Sequence, residues 1–175
     1  MEYFKLIQNR YSVRAYKPDP VDDKKLAKIL EAARLAPTAS NRQPFRLIIT
    51  KTAGKVEELK KVYKGAWFVQ APLVICACGV ANEAWVRVDG KNYLDVDVAI
   101  VVDHLILAAR NEGLGTCWIA AFSQLAAREF FALPDDIEPI ILTPLGYPAD
   151  KPPIKQRKPI DQLVYYEQWG GTHPG

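Results

Sequence analysis

Histidine is scarce in this chain: His104 and His173 are the only two in 175 residues. The first sits inside an apolar run and the second in a Gly/Pro-rich tail. A Ser-His-Asp or Cys-His arrangement therefore has almost no candidate base. Cysteine is nearly as rare. Cys76, Cys78 and Cys117 cannot all pair within one chain, and three are too few for a disulfide scaffold. A reducing compartment suits them. Cys76 and Cys78 lie two apart in the apolar run Pro72 to Cys78, so on a strand they point the same way. They are expected to be buried thiols acting as small hydrophobes, because neither histidine lies nearby in sequence to complete a metal site. Long apolar runs are absent as well, since no uncharged stretch approaches the roughly 20 residues that a bilayer span needs. The first residues, Met1-Glu2-Tyr3-Phe4-Lys5, lack a basic region followed by an apolar run, so no secretory signal is visible. A cytoplasmic protein with no membrane partner is the expectation. A glycine-rich phosphate loop is missing too. Gly113-Leu114-Gly115 begins a Gly-x-Gly, but the third glycine is absent and the pair follows a helical pattern, which argues against Rossmann-type dinucleotide binding.

What is present reads as one globular unit. Apolar residues make up 49% and charged residues 25%, and the length suits one core better than two. There are no internal repeats and no low-complexity tracts, so a single domain over 1–175 is expected, with a C-terminal arm from about 160 to 175. The net charge of +3 would help attract a phosphate or a dinucleotide. It falls short of the concentrated excess that nucleic-acid binding usually needs.

Along the chain, Phe4 and Ile7 mark a short first helix that gives out near Asn9-Arg10. A second helix begins at a cap on Asp22 or Asp23, carries Leu26, Ile29, Leu30 and Ala33, and ends before Pro37. Arg46 to Thr50 reads as a strand, Val56 to Tyr63 as a helix, and Leu73 to Val80 as a strand. From Leu94 to Asn111 apolar side chains occupy nearly the whole helical circumference, so that helix must be buried on most sides. In a chain this small a second subunit is the easiest cover. Thr116 to Ala120 reads as a strand, Ser123 caps a helix carrying Leu125 and Phe130, and Pro139 to Tyr147 is the last core strand. Prolines 148, 152, 153 and 159 forbid regular helix beyond it. Val164, Tyr165, Tyr166 and Trp169 are too apolar for a free tail, which suggests an arm packed on a partner subunit. Helices alternating with short strands give an α+β or α/β layered fold.

Two basic clusters stand out. In an extended Arg10-Tyr11-Ser12-Val13-Arg14, the two guanidiniums and the hydroxyl project to one side and make a receptor for a phosphate or an electron-rich ring edge. Lys155 and Arg157 are again two apart, in a segment held extended by prolines. Each cluster alone is commonly solvated surface. A nucleic-acid patch would want aromatic residues between the charges for stacking, and these clusters lack them. Two clusters in an otherwise near-neutral chain would together clamp one phosphate monoester. With so few side-chain bases, the chemistry is expected to come from a cofactor.

At this point the chain resembles the nitroreductase family of flavoproteins, along nearly its whole length and in the family's order. Arg10-Tyr11-Ser12-Val13-Arg14 resembles the family's N-terminal Arg-x-Ser-x-Arg motif. Ala36-Pro37-Thr38-Ala39-Ser40-Asn41-Arg42-Gln43-Pro44-Phe45 resembles its Ala-Pro-Ser-x-x-Asn-x-Gln-Pro-Trp stretch, with Thr38 for Ser and Phe45 for Trp. Gly113-Leu114-Gly115-Thr116-Cys117-Trp118-Ile119 is similar to Gly-Leu-Gly-Ser-x-Trp-Ile. Gly146-Tyr147-Pro148 followed by Lys155-Gln156-Arg157-Lys158-Pro159 is similar to the C-terminal phosphate-binding end. Four pieces in register are specific.

The resemblance implies an α+β fold, a three-layer α-β-α sandwich with a mainly antiparallel central sheet and helices on both faces. It also implies a homodimer with exchanged arms and FMN at the subunit interface. Arg10, Ser12, Lys155 and Arg157 would hold the FMN phosphate, and Arg14 would face the pyrimidine edge of the ring. Pro37, Thr38, Ala39 and Asn41, supported by Gln43, would reach the flavin from the partner. Backbone around Trp118, Ile119, Ala120 and Ala121 would lie near the reactive edge. Ala120-Ala121 replaces the Glu-Gly of one branch, so any contact there comes from main chain. The implied activity is hydride transfer from NADH or NADPH to a small electron acceptor, a nitroaromatic or quinone, by a ping-pong scheme with no side-chain acid. A flavin-binding protein for storage or sensing would carry the same binding residues, and an interaction protein that binds acidic partners through its basic clusters is a third reading. Between Val80 and Tyr93 there is too little chain for a large substrate-clamping lid. Trp85 there either covers the flavin face or fills the interface.

Overall fold

The computed structural model describes residues 2–173. Helix α1 (Tyr3–Asn9) leads into an extended stretch and then α2 (Asp23–Arg34), where the Asp22 carboxylate accepts from the Lys24 and Lys25 amides and satisfies donors that the first turn leaves open. Next come β1 (Phe45–Lys51), α3 (Val56–Val62), β2 (Leu73–Val80) and the long α4 (Leu94–Asn111). The short β3 (Gly115–Thr116), α5 (Gln124–Phe131) and β4 (Ile137–Gly146) complete the core. Ser123 caps α5 through the Ala126 amide.

The four strands form an antiparallel sheet in the order β1-β2-β4-β3. Alternation along the buried β2 separates two cores. Leu73, Ile75 and Ala77 face α2 and α4, where Ile29, Ala33, Val98, Val102 and Leu105 pack. Val74, Cys76 and Cys78 face α3 and α5, with Leu59, Val62 and Ala127. The result is the three-layer α-β-α sandwich with helices on both faces. Opposite β2, the pairing steps from Ile141 to Pro139 across Ala77/Cys78, so Ile140 is a bulge residue beside a proline that cannot donate.

One expected strand is cut short. Thr116 to Ala120 reads as a strand by pattern, but only Gly115–Thr116 pairs, and the ladder resumes at a single Ile119–Leu142 bridge. The reason lies across the sheet. In this register the hydrogen-bonded pairs alternate, Gly115 with Gly146 and Ile119 with Leu142, and the pair between them sets Cys117 against Pro144, which has no N–H.

Helix α4 buries Leu94, Val98, Val101, Val102, Leu105, Ile106 and Ala109 within the chain. Its other side, with Val96, Ile100, Asp103 and Leu107, is only partly covered or exposed. Among the described residues no helix is long and apolar enough to cross a membrane. From Ile160 on, a single 3-10 turn (Ile160–Gln162) is followed by an exposed arm in which Leu163, Val164, Tyr165, Tyr166 and Trp169 face solvent.

Candidate functional site

The site is assembled at the β3 edge of the sheet. After α1 the chain runs extended beside β3, with the Val13 amide donating to the Thr116 carbonyl at 2.9 Å and Ser12 bridging Thr116. The pleat then sorts the side chains: Tyr11 and Val13 turn into the protein, while Arg10, Ser12 and Arg14 turn out. The strand leaving β4 zips along the same segment. Lys17 donates to the Tyr147 carbonyl and Ala149 to the Ala15 carbonyl, at 2.9 and 2.8 Å. Asp150 closes the zip, one carboxylate oxygen accepting from the Tyr11 hydroxyl at 3.0 Å and the other from the Arg14 amide at 2.7 Å.

This zip brings together the two basic clusters from opposite ends of the chain. Arg10, Ser12, Arg14, Lys155, Gln156 and Arg157 line one cavity of about 210 Å³. Arg110, from the last turn of α4, stands behind it, with its guanidinium 5.8 Å from the Tyr11 ring and its buried Nε lacking a hydrogen-bond partner among the described residues. None of Arg10, Arg110, Lys155 and Arg157 forms an ion pair among the described residues. Lys155 feels this crowding. Desolvation, and then Arg10, Arg157 and Arg110, push its ammonium below the ordinary lysine range. It is steadied by the open carbonyl end of α1, donating to Ile7 O at 3.0 Å and to Gln8 O. Uncompensated cations converging on a cleft suit a phosphate monoester of charge about −1.5 to −2.

A second cavity, about 120 Å³, adjoins it and shares Arg14. Tyr63, Trp67, Cys117, Trp118, Ile119, Ala120 and Ala121 form its other walls. The Arg14 guanidinium lies 5.9 Å from the Trp67 ring centre, and Tyr63 meets Trp67 edge-on at 5.5 Å. Ile119 is buried and its amide and carbonyl are both spent on Leu142, so free main chain here belongs to its neighbours. Burial pushes the Cys117 thiol up, against the pull of Arg14. Cys76 and Cys78 are buried with their sulfurs 3.4 Å apart and line neither cavity; they are thiols of the core.

The third expected group stands apart. Pro37, Thr38, Ala39, Asn41 and Gln43 line neither cavity. They form a tight turn ahead of β1, in which the Gln43 amide donates to Thr38 Oγ1 at 3.0 Å and the Gln43 side chain to Asn41 O at 3.1 Å. Trp85 stacks edge-on with Tyr93 at 5.1 Å. The pattern of the sequence did not single out Arg110, Asp150, Tyr63 or Trp67. Arg110 in the sequence is one of the charges that interrupt the apolar run Leu94 to Asn111, and the Tyr11–Asp150 bond spans 139 positions.

Fold and cleft together define an α+β sandwich protein with a cationic cleft at one sheet edge. The model of the Nitroreductase family matches residues 7–70 and 51–147, and the chain belongs to that family. A nitroreductase family protein of Clostridium difficile, solved as a crystal structure, superposes with a TM-score of 0.88 at 39% identity, over 96% of this chain and 99% of that one. The FMN reductase [NAD(P)H] of Bacillus subtilis is 26% identical, covering 96% of this chain and 74% of its own length. The NADH dehydrogenase of Thermus thermophilus is also 26% identical, over 90% and 92%.

Proposed function

We propose that this protein is an FMN-dependent oxidoreductase that takes hydride from NADH or NADPH and reduces a small acceptor, a nitroaromatic or a quinone, as a cytoplasmic homodimer. The observation that carries the reading is the convergence of Arg10, Ser12, Lys155 and Arg157 on one cavity without a counter-anion. Family membership and the names of the Bacillus and Thermus relatives point the same way. FMN, when bound, would supply the two-electron redox chemistry that links the nicotinamide to the acceptor.

The chain's own residues bind and bias that group. Arg10, Ser12, Lys155 and Arg157 hold the phosphate, with Arg110 adding positive potential from behind. Arg14 sits between the two cavities and faces the pyrimidine edge, where a cation stabilises the negative charge that reduction places there. Main chain at Trp118, Ala120 and Ala121 lines the reactive edge, and no side-chain acid is needed. Pro37, Thr38, Ala39, Asn41 and Gln43 act on the partner's flavin. Support for the dimer comes from their distance from the cavities of their own chain, from the uncovered side of α4, and from the exposed apolar arm beyond Ile160 of this single domain. A groove of about 740 Å³ beside the edge strand β1, lined by Leu26, Ile49 and Leu73 among others, is where a partner's arm would lie. Three free, buried cysteines suit a reducing cytoplasm.

The purified protein should be yellow and release FMN, not FAD, on denaturation, and it should consume NAD(P)H when given a quinone. A colourless protein that takes up no added FMN defeats the proposal. Bound FMN without NAD(P)H consumption would turn it into a storage or sensing protein.

A further inference from the structure

The turn from Thr38 to Gln43 carries backbone strain that something must hold. Ser40, Asn41 and Gln43 adopt φ of 51°, 53° and 54°, the left-handed region that residues with a Cβ rarely occupy. Such conformations persist only where surrounding contacts over-determine them. Among the contacts that do so, two are side-chain oxygens accepting from amides of the turn. One is internal, from the Gln43 amide to Thr38 Oγ1. The other comes from α4: Asp97, in its first turn and 1% exposed, accepts from the Ala39 amide through Oδ1 at 2.8 Å. Its second oxygen, Oδ2, is buried without a hydrogen-bond partner among the described residues. An acidic side chain buried with half its capacity unused is costly, so packing alone does not account for it.

The geometry points to Asp97 as a positioning residue, a buried tether that fixes the turn Thr38–Gln43 in the shape with which it reaches the partner's flavin. This rests on the reading of that turn as a flavin contact. The tether itself is a property of the chain before any cofactor binds. Asp97 lies on α4 next to the exposed Val96 and one turn before the half-buried Ile100, so the turn's shape is set from a helix that still has apolar surface to cover.

The test compares Asp97→Asn, which keeps an acceptor for the Ala39 amide, with Asp97→Leu, which fills the same space without one. In the flavin-free protein, amide hydrogen exchange at Ala39 and Gln43 should accelerate at least tenfold in Asp97→Leu and stay near the parent rate in Asp97→Asn. In the loaded protein, Asp97→Leu should raise the FMN Kd by roughly tenfold, the scale of one lost hydrogen bond, and alter the visible circular dichroism of bound flavin, with Asp97→Asn restoring both. Unchanged exchange in a folded Asp97→Leu overturns the tether whatever the cofactor. Faster exchange with an unaltered Kd and unaltered flavin dichroism refutes its link to the flavin and leaves the FMN reading standing. If Asp97→Leu does not fold, Thr38→Val removes the other contact of the same turn, and the absence of faster exchange there would also count against a turn held by these two bonds.

Discussion

At the scale of single residues, the two ends of the basic cleft should be separable. On the proposed reading Arg157 acts on the phosphate, and losing a charge-assisted hydrogen bond costs about 1.5–3 kcal/mol, so Arg157→Ala should weaken FMN binding roughly ten- to a hundredfold. At saturating FMN its effect should largely vanish. Arg14→Ala should instead leave a slower reduction by NAD(P)H and a lower midpoint potential even when every site is filled. An unchanged potential and rate in the filled Arg14→Ala protein would remove Arg14 from the pyrimidine edge. The same region sets a response to alkali. Burial first, then Cys117, Asp150 and Tyr11, push the Tyr16 phenol up, and its hydroxyl donates to Val13 O at 2.9 Å. A raised phenol keeps its proton in the folded state while the unfolded chain loses one near pH 10. Stability from Tyr16 is therefore complete below about pH 10 and is lost as pH climbs from there toward the folded value. Tyr11 is raised too, by burial and then by Asp150, and contributes in the same direction. Tyr16→Phe should lower stability by about 0.5–1.5 kcal/mol at neutral pH. It should also reduce the alkaline slope by up to about 1.4 kcal/mol per pH unit. Urea unfolding across that range reads both, and an equal slope in the two proteins would show that Tyr16 is not the titrating group.

At the scale of elements, legibility followed the range of the causes. The starts of α2 and α5 were readable because their caps, Asp22 and Ser123, are adjacent in sequence. The run Leu94 to Asn111 was readable to the residue, because a helix buried along so much of its surface leaves a dense apolar signature between two polar boundaries. The alternation of Arg10, Ser12 and Arg14 was readable because extended backbone has a period of two. What failed depends on a partner strand. The truncation of β3 is caused by Pro144, 28 positions beyond Thr116, and only the register reveals it. The tether from Asp97 to Ala39 spans 58 positions and was hidden for the same reason. An aspartate in an apolar helix looked merely like an interruption that ruled out a membrane span. Within the cleft, the guanidiniums and the Lys155 ammonium were legible as charges two apart. The groups that complete the cleft, Asp150 on the Arg14 amide and Arg110 as a further cation, had no local pattern.

At the scale of the whole molecule, the open question is what covers the apolar surface that one chain leaves exposed. Trp169 is 89% exposed and Ile160 73%, and fully burying one such side chain is worth about 1.5–3 kcal/mol. Val96 and Ile100 on α4 and the groove beside β1 present apolar surface elsewhere on the same chain. Neither can be satisfied by the arm of its own chain as it lies here, because the arm's large side chains face solvent. On the proposed reading a second copy would satisfy both at once, each arm leaving its own body for the groove of the other. It would also bring the Thr38–Gln43 turn of one copy toward the cavities of its partner, so dimer and flavin site would be thermodynamically linked. Removing residues from Ile160 onward should therefore raise the dimer Kd at least a hundredfold, about 2.8 kcal/mol. It should weaken FMN retention in parallel, although Lys155 and Arg157 remain in place. Sedimentation velocity at several protein concentrations, read at the flavin absorbance, follows both quantities in one experiment. If the truncated chain stays dimeric with its flavin, the arm is not what closes the interface. If the full-length chain sediments as a monomer that keeps its flavin, the site is complete within one copy and the dimer itself must be given up.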